Sequence, residues 1–221
     1  MCGRYSLTKS VKTLQEHFEA IPVGVTHQAR YNIAPSQILP VVVAENGERQ
    51  LRPMRWGLLP SWAKDEKLGH KLINARAETV HEKPSFKTAF RSTRCLVPAD
   101  GFYEWKQDNG TKTPQYIFLQ DGGLFAFAGL WSTWNGPKGP VDTFTIITTE
   151  ANRQLQALHH RMPVILNPES YSDWLNASTS SQDLKTLLRP LAGNALGFHA
   201  VTTLVNSPKN DVADCRKPLT N

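Results

Sequence analysis

Val11, Leu14 and Phe18 fall three and four positions apart, which predicts an amphipathic helix with Thr8 or Ser10 as its cap. The pattern then changes period. The run 38–44 is apolar and β-branched, and Glu45-Asn46-Gly47-Glu48 closes it as a hairpin turn, with 50–56 as the return strand. A loop is expected over 57–65, holding Pro60 and Trp62. Further strands are expected at 94–97, 102–106, 115–119, 124–130 and 143–149, separated by turns rich in Asn, Gly, Asp and Pro. Helices fit 151–158, 168–175 and 181–188, with Pro168 at a first helical position and Pro190 as a stop. The residues from Asn206 onward read as an irregular tail. Strands come in runs, so the expected class is α+β: one β-rich domain over 1–221 with peripheral helices.

Composition narrows the class of protein. Of 221 residues, 40% are hydrophobic and 20% charged, an ordinary globular balance that excludes a disordered chain. The longest apolar runs are too short to span a bilayer, and no signal-peptide apolar region follows Met1. A cytoplasmic protein without membrane association is expected, with a monomer as the expected state. Cys2, Cys95 and Cys215 lack metal-ligand spacing, so free thiols are expected, with no metal and no organic cofactor.

Charge is unevenly placed. Residues 1–120 carry 17 Lys and Arg against 11 Asp and Glu, while 121–221 carry 8 of each. Residues 71–94 alone hold six basic and two acidic side chains. Such clustering suits a polyanion, because bound Lys and Arg release condensed counterions; a solvated basic face is the alternative.

Five places in the chain invite chemistry. Removal of Met1 would leave Cys2 with an α-amine and a thiol on adjacent carbons, able to close a thiazolidine on an aldehyde or to attack an amide. Otherwise Cys2 is a small buried residue. In His159-His160 adjacent side chains diverge, so at most one enters a site as a proton donor or acceptor. An extended 72–78 places Asn74, Arg76 and Glu78 on one face. Likewise Phe102 and Glu104 share one face of 101–105 while Tyr103 and Trp105 share the other; Glu104 is either a carboxyl with a raised pKa among aromatics or a solvent-facing side chain. Trp62, in a loop beside charged residues, suits stacking on a nucleic-acid base, whereas the other five tryptophans read mainly as core.

Six segments in order resemble the SRAP family, the SOS response-associated peptidases or abasic-site processing proteins. They are Met1-Cys2-Gly3-Arg4-Tyr5, Arg30-Tyr31-Asn32-Ile33-Ala34-Pro35, Trp56-Gly57-Leu58, Ile73-Asn74-Ala75-Arg76-Ala77-Glu78, the stretch from Cys95 to Trp105, and His159-His160-Arg161-Met162-Pro163. The resemblance implies a barrel-like β core, with 196–202 as its last core strand and a basic groove leading to Cys2. It implies covalent attachment to abasic sites in single-stranded DNA, with possible autopeptidase and lyase-like activity. By similarity Cys2 would be the nucleophile, with Asn74, Glu104 and His159 completing the site. Arg4, Asn32, Trp62, Arg76, Arg161 and, more weakly, Thr148 would bind the DNA. Two other readings compete: an amidase or peptidase using Cys2 as an N-terminal nucleophile, and a noncovalent single-stranded DNA-binding module.

Overall fold

The computed structural model describes residues 2–108, 110–192 and 194–219. Tyr5–Leu7 (β1) leads into helix Val11–Phe18 (α1), where Ser10 accepts the Thr13 N–H as the cap and Leu14 and Phe18 are buried. Ile21–Pro22 (β2) and Arg30–Ile33 (β3) precede the hairpin of Ile38–Glu45 (β4) and Glu48–Trp56 (β5). Its turn needs positive φ, supplied by Asn46 (53°) and Gly47 (82°). The loop after β5 closes with a 3-10 turn, Glu66–Lys71, before Asn74–Arg76 (β6) and helix Lys87–Ser92 (α2). Arg94–Ala99 (β7), Gly101–Asp108 (β8), Thr111–Leu119 (β9), Phe125–Gly136 (β10) and Gly139–Glu150 (β11) form the middle of the chain. Arg161–Pro163 (β12), Ile165–Leu166 (β13), helices Tyr171–Leu175 (α3) and Ser181–Leu187 (α4), and Leu196–Ala200 (β14) complete it.

Two sheets result. The smaller runs β14-β9-β8-β1-β3 and the larger β12-β11-β10-β7-β4-β5-β2. A parallel pairing of β11 with β5, Thr143 to Arg55 and Phe144 to Trp56, closes β11, β10, β7, β4 and β5 into a ring. The architecture is therefore α+β with a barrel-like β core. Aromatics fill the space behind it: Tyr5 meets Trp56 at 5.2 Å and Phe127 at 5.9 Å between ring centroids, and Trp56 stacks on Phe144. Each such side chain contributes roughly 1.5–3 kcal/mol on burial.

One close approach fixes the loop after β5. Gly57 has φ +121°, and a Cβ there would lie 2.6 Å from the Gly69 carbonyl oxygen, so only glycine lets these two backbones meet.

Three expectations need correction. Residues 151–158 are turns rather than a helix, because the Asn152 side chain accepts the Leu155 N–H at 2.9 Å and the Ala151 N–H returns to the His160 carbonyl. Leu155 and Leu158 are still buried, so the apolar spacing was satisfied by a compact turn. The segment from Asn206 is not a loose tail: Ala213–Arg216 is a 3-10 turn, Cys215 is fully buried, and Val201 pairs with Pro218. The expected last strand shortens to Leu196–Ala200 and sits at the edge of the smaller sheet.

Candidate active site

The carboxyl-terminal end of β11 organises the site. β6 pairs with it in parallel on one side, Asn74 to Ile146 and Arg76 to Thr148. β12 pairs with it antiparallel on the other, Thr148 to Pro163 and Glu150 to Arg161. From the smaller sheet, β1 lies against β8, and the Tyr103 N–H donates to the Arg4 carbonyl at 3.0 Å. These pairings bring the start of the chain, the 74–78 segment and 159–163 to one region.

Cys2 is fully buried and its thiol faces the Arg4 carbonyl at 4.0 Å. Burial, reinforced by Glu104, pushes that thiol well above its ordinary range. Cys2 therefore stands as a neutral thiol, not a ready thiolate. Asn74 Nδ2 donates to the Cys2 carbonyl at 2.8 Å, and Asn74 Oδ1 is buried without a hydrogen-bond partner among the described residues. One amide thus grips the second residue of the chain and keeps an acceptor in reserve.

Glu104 is 4% exposed, and burial raises its carboxyl pKa. Phe102 on its own face and Tyr103 on the other are fully buried, so β8 is covered on both sides and no edge position opens Glu104 to water. A carboxyl with a raised pKa in the folded state binds its proton more tightly there than in the unfolded chain. Stability accordingly falls as pH rises from the ordinary glutamate range through the elevated value. Glu104→Gln removes that loss. Its urea midpoint should exceed the wild-type value at about pH 8 and converge with it near about pH 4, the ordinary glutamate range. Equal midpoints at both would contradict the buried-carboxyl account.

His159 is half-buried, and its Nδ1 lies 3.0 Å from the Arg161 backbone nitrogen and 3.2 Å from the Arg161 carbonyl oxygen. The first contact suits a neutral ring protonated on Nε2, the second one protonated on Nδ1. Burial lowers its pKa, favouring the neutral ring. His160 stacks on it at 4.4 Å but is exposed; with Arg76, Glu150, Gln156 and Arg161 it lines a cleft of about 410 Å³. The adjacent rings therefore do not diverge as expected: they lie face to face and differ in exposure, His159 half-buried and His160 open to solvent.

The DNA-binding candidates separate into groups. Arg76 is exposed on this cleft. Arg161 is buried and already committed: it forms a two-pronged pair with Glu78 at 2.7 and 3.0 Å and donates to the Thr148 carbonyl at 2.6 Å. Arg161 in turn holds the Glu78 carboxyl below its usual range. Thr148 is buried, with a long 3.4 Å hydrogen bond to the Ala75 carbonyl. Trp62 is 57% exposed and borders a trough of about 200 Å³ shared with Pro84, Thr88 and Trp131. Arg4 and Asn32 turn away from this cleft toward carbonyls of 205–210.

The SOS response associated peptidase (SRAP) family model matches residues 1–208. This chain belongs to the SRAP family. Abasic site processing protein YoqW of Bacillus subtilis (strain 168) is 47% identical over 217 residues, covering 96% of each chain. Abasic site processing protein HMCES of Gallus gallus is 35% identical over 227 residues, covering 87% of this chain and 67% of that one. A crystal structure of a protein from Bacteroides thetaiotaomicron, 27% identical, superposes with a TM-score of 0.90 over 99% of this chain and 100% of that one.

Within this SRAP chain, two features of the site lay beyond sequence reasoning. The expected extended 72–78 narrows to β6, and Glu78 lies in the turn after it; its role as the partner that neutralises Arg161 depends on β6 and β12 flanking β11. The basic stretch 71–94 also overstates the surface charge. Arg94 is 3% exposed and spends its guanidinium on the carbonyls of Phe90, Arg91, Trp174 and Asn176. Among the described residues no group of three or more His, Cys, Asp or Glu is placed to hold a metal, and no helix is long and apolar enough to cross a membrane.

Proposed function

We propose that the protein recognises abasic sites in single-stranded DNA and joins them covalently through Cys2, after removal of Met1, as a DNA-associated cytoplasmic damage-response enzyme. Met1 itself lies outside the described residues. The observation that carries the reading is the 2.8 Å bond from Asn74 to the Cys2 carbonyl, which holds a residue at the very start of the chain beside a buried carboxyl. A structural cysteine needs packing but no such grip. The relatives named for abasic-site processing support the substrate.

The chemistry follows from the two protonation states. With the thiol kept neutral by burial, the α-amine is the first nucleophile. It adds to C1′ of the ring-opened sugar aldehyde, and loss of one water gives an imine. The thiol then adds to the imine carbon, its proton passing to nitrogen, and a thiazolidine closes. Glu104 takes the proton from the amine, and His159 Nε2–H assists ring opening and departure of water. Asn74 orients the reacting residue. The reverse steps, taking up one water, would return the aldehyde and free Cys2. Lyase-like cleavage would instead proceed from the imine, with loss of a C2′ proton and departure of the 3′-phosphate as the C3′–O bond breaks. Cleavage ahead of Cys2 would be the autopeptidase step.

Incubation with single-stranded DNA containing one abasic site, followed by a denaturing gel, tests this reading. A shifted band that survives denaturation is expected. A shift on a native gel alone would indicate a noncovalent binding module, and turnover of an amide without DNA would indicate an N-terminal-nucleophile amidase.

Binding is expected to separate from bond formation. Arg76, exposed on the cleft, is the candidate for phosphate contact, and Trp62 for base stacking. Arg76→Glu should weaken binding and reduce the log–log salt slope by about 0.7. Trp62→Ala should cost roughly 1–3 kcal/mol of affinity. An unchanged salt slope or unchanged affinity, measured by fluorescence anisotropy, would remove the corresponding residue from the interface.

A further inference from the structure

Arg4, Ser6 and Thr8 alternate along the extended amino-terminal segment, opposite the core-facing Tyr5 and Leu7. All three are tied to the end of the chain, directly or through one carboxylate. Arg4 donates to the carbonyls of Val205 (2.6 Å) and Asn206 (3.1 Å) and to Asn32 Oδ1 (2.8 Å). Asn32 is fully buried and its Nδ2 reaches the carbonyls of Val205, Ser207 and Asn210. Asp211 returns the tie, accepting the Tyr31 and Asn32 N–H groups at 2.6 and 2.9 Å and the Arg30 side chain. Ser6 and Thr8 both donate to buried Asp100, and Arg216 reaches that carboxylate at 3.5 Å while lying over the rings of Tyr31 and Tyr116. Asp211 and Arg216 lie beyond the residues that the family model matches.

We propose that residues 203–216 form a strap that positions the amino-terminal strand for the reaction of Cys2, with Arg4 and Arg216 as positioning residues. Arg4 and Asn32 thereby leave the set of DNA ligands that resemblance implied. The inference rests on the proposed cross-linking. An arginine with three of its five N–H donors on protein oxygens keeps only two for a phosphate and is already fixed by the other three, and an asparagine side chain with no exposure offers none. What they do control is where the backbone stands two residues after Cys2. That matters because amine and thiol must reach one carbon in turn, and a misplacement of about 1 Å can cost about a hundredfold in rate.

The test uses full-length Arg4→Ala, Arg216→Ala and Arg216→Lys, well below their melting temperatures. Three quantities are read: the single-turnover cross-linking rate at saturating abasic single-stranded DNA, the affinity and salt slope for undamaged single-stranded DNA, and amide hydrogen exchange over residues 5–7. Both alanine variants should lose roughly ten- to a hundredfold in saturating rate. Their affinity and salt slope should match wild type, and exchange over 5–7 should accelerate. Arg216→Lys should recover part of the rate, since it restores charge beside Asp100 without the planar group between the two tyrosines. If Arg216→Ala does not fold, Asp211→Asn, which keeps the shape and weakens the hold on 30–32, takes its place with the same expected losses.

A fall in salt slope of about 0.7 in Arg4→Ala would make Arg4 a phosphate ligand and overturn the proposal. So would accelerated exchange with a normal saturating rate, which would leave the strap a stabilising element only. If wild type forms no cross-link, the proposed function fails; exchange then decides the strap by itself, and unchanged exchange in the variants overturns it.

Discussion

Cys2→Ala is expected to abolish the denaturation-resistant DNA adduct completely while leaving noncovalent affinity within about twofold, well under the tenfold that 1.4 kcal/mol would represent. The reason lies in the separation of groups. The thiol is buried and faces the Arg4 carbonyl, whereas Arg76 and Trp62 are exposed and are untouched by its removal. Cys2→Ser is the finer probe. It keeps the amine and the Asn74 grip, which uses the backbone carbonyl, so an imine can still form. The hydroxyl closes the ring poorly, and the adduct should be labile to denaturation unless trapped by borohydride. A stable, full-yield adduct from Cys2→Ala, scored on a denaturing gel, would remove the thiol from the mechanism.

The second large effect concerns proton transfer. His159→Ala should slow adduct formation by roughly 10²–10⁴, the range for a positioned acid or base. His160→Ala should change it by less than about threefold, a loss below the range of any positioned proton donor. The two rings stack, but the Arg161 backbone fixes the His159 ring through Nδ1, and His160 opens to solvent on the cleft. Glu104→Gln keeps the shape and loses the base. If the carboxylate accepts the amine proton, the wild-type rate rises with pH through the raised Glu104 pKa, and Glu104→Gln should lack that rise. Rapid-quench rates across pH check both. Equal losses from the two histidines, or an unaltered pH profile in Glu104→Gln, would mean that these roles are misassigned.

How far the sequence foretold this molecule depends on the range of the forces involved. The 38–56 hairpin was readable because Asn46-Gly47 meets a strictly local demand for positive φ between two apolar runs. Helix α1 was readable for the same reason, its cap and buried stripe lying within nine residues of each other. The 151–158 turn was not, because helical spacing and a compact turn bury the same leucines, and the choice is made by the Asn152 side chain and by pairing with β12. The carboxyl-terminal strap was least visible of all. It is largely polar and Pro-containing, and what orders it are side-chain and backbone N–H donors from 1–120 reaching its carbonyls and the Asp211 carboxylate, which no local pattern reveals.

The site shows the same division. Period-2 alternation put Glu104 among aromatics, as the structure has it, but the expected extended 72–78 is a strand only over Asn74–Arg76, and Glu78 falls in the turn that follows. That Asn74 meets the carbonyl of Cys2 is a tertiary fact, readable beforehand only through resemblance to the SRAP family. Charge counting was the weakest guide, since it cannot tell Arg76 on the cleft from Arg94 in the interior or from Arg161 bound to Glu78.

The central claim is that the amine and thiol of one residue, Cys2, close on one sugar carbon. Mass spectrometry of the protease- and nuclease-digested adduct addresses it directly. The account predicts a peptide that begins at Cys2, lacks Met1, and carries the sugar fragment with the loss of one water, with fragmentation placing it on Cys2. A sugar fragment on a lysine, or on a peptide that retains Met1, would contradict it.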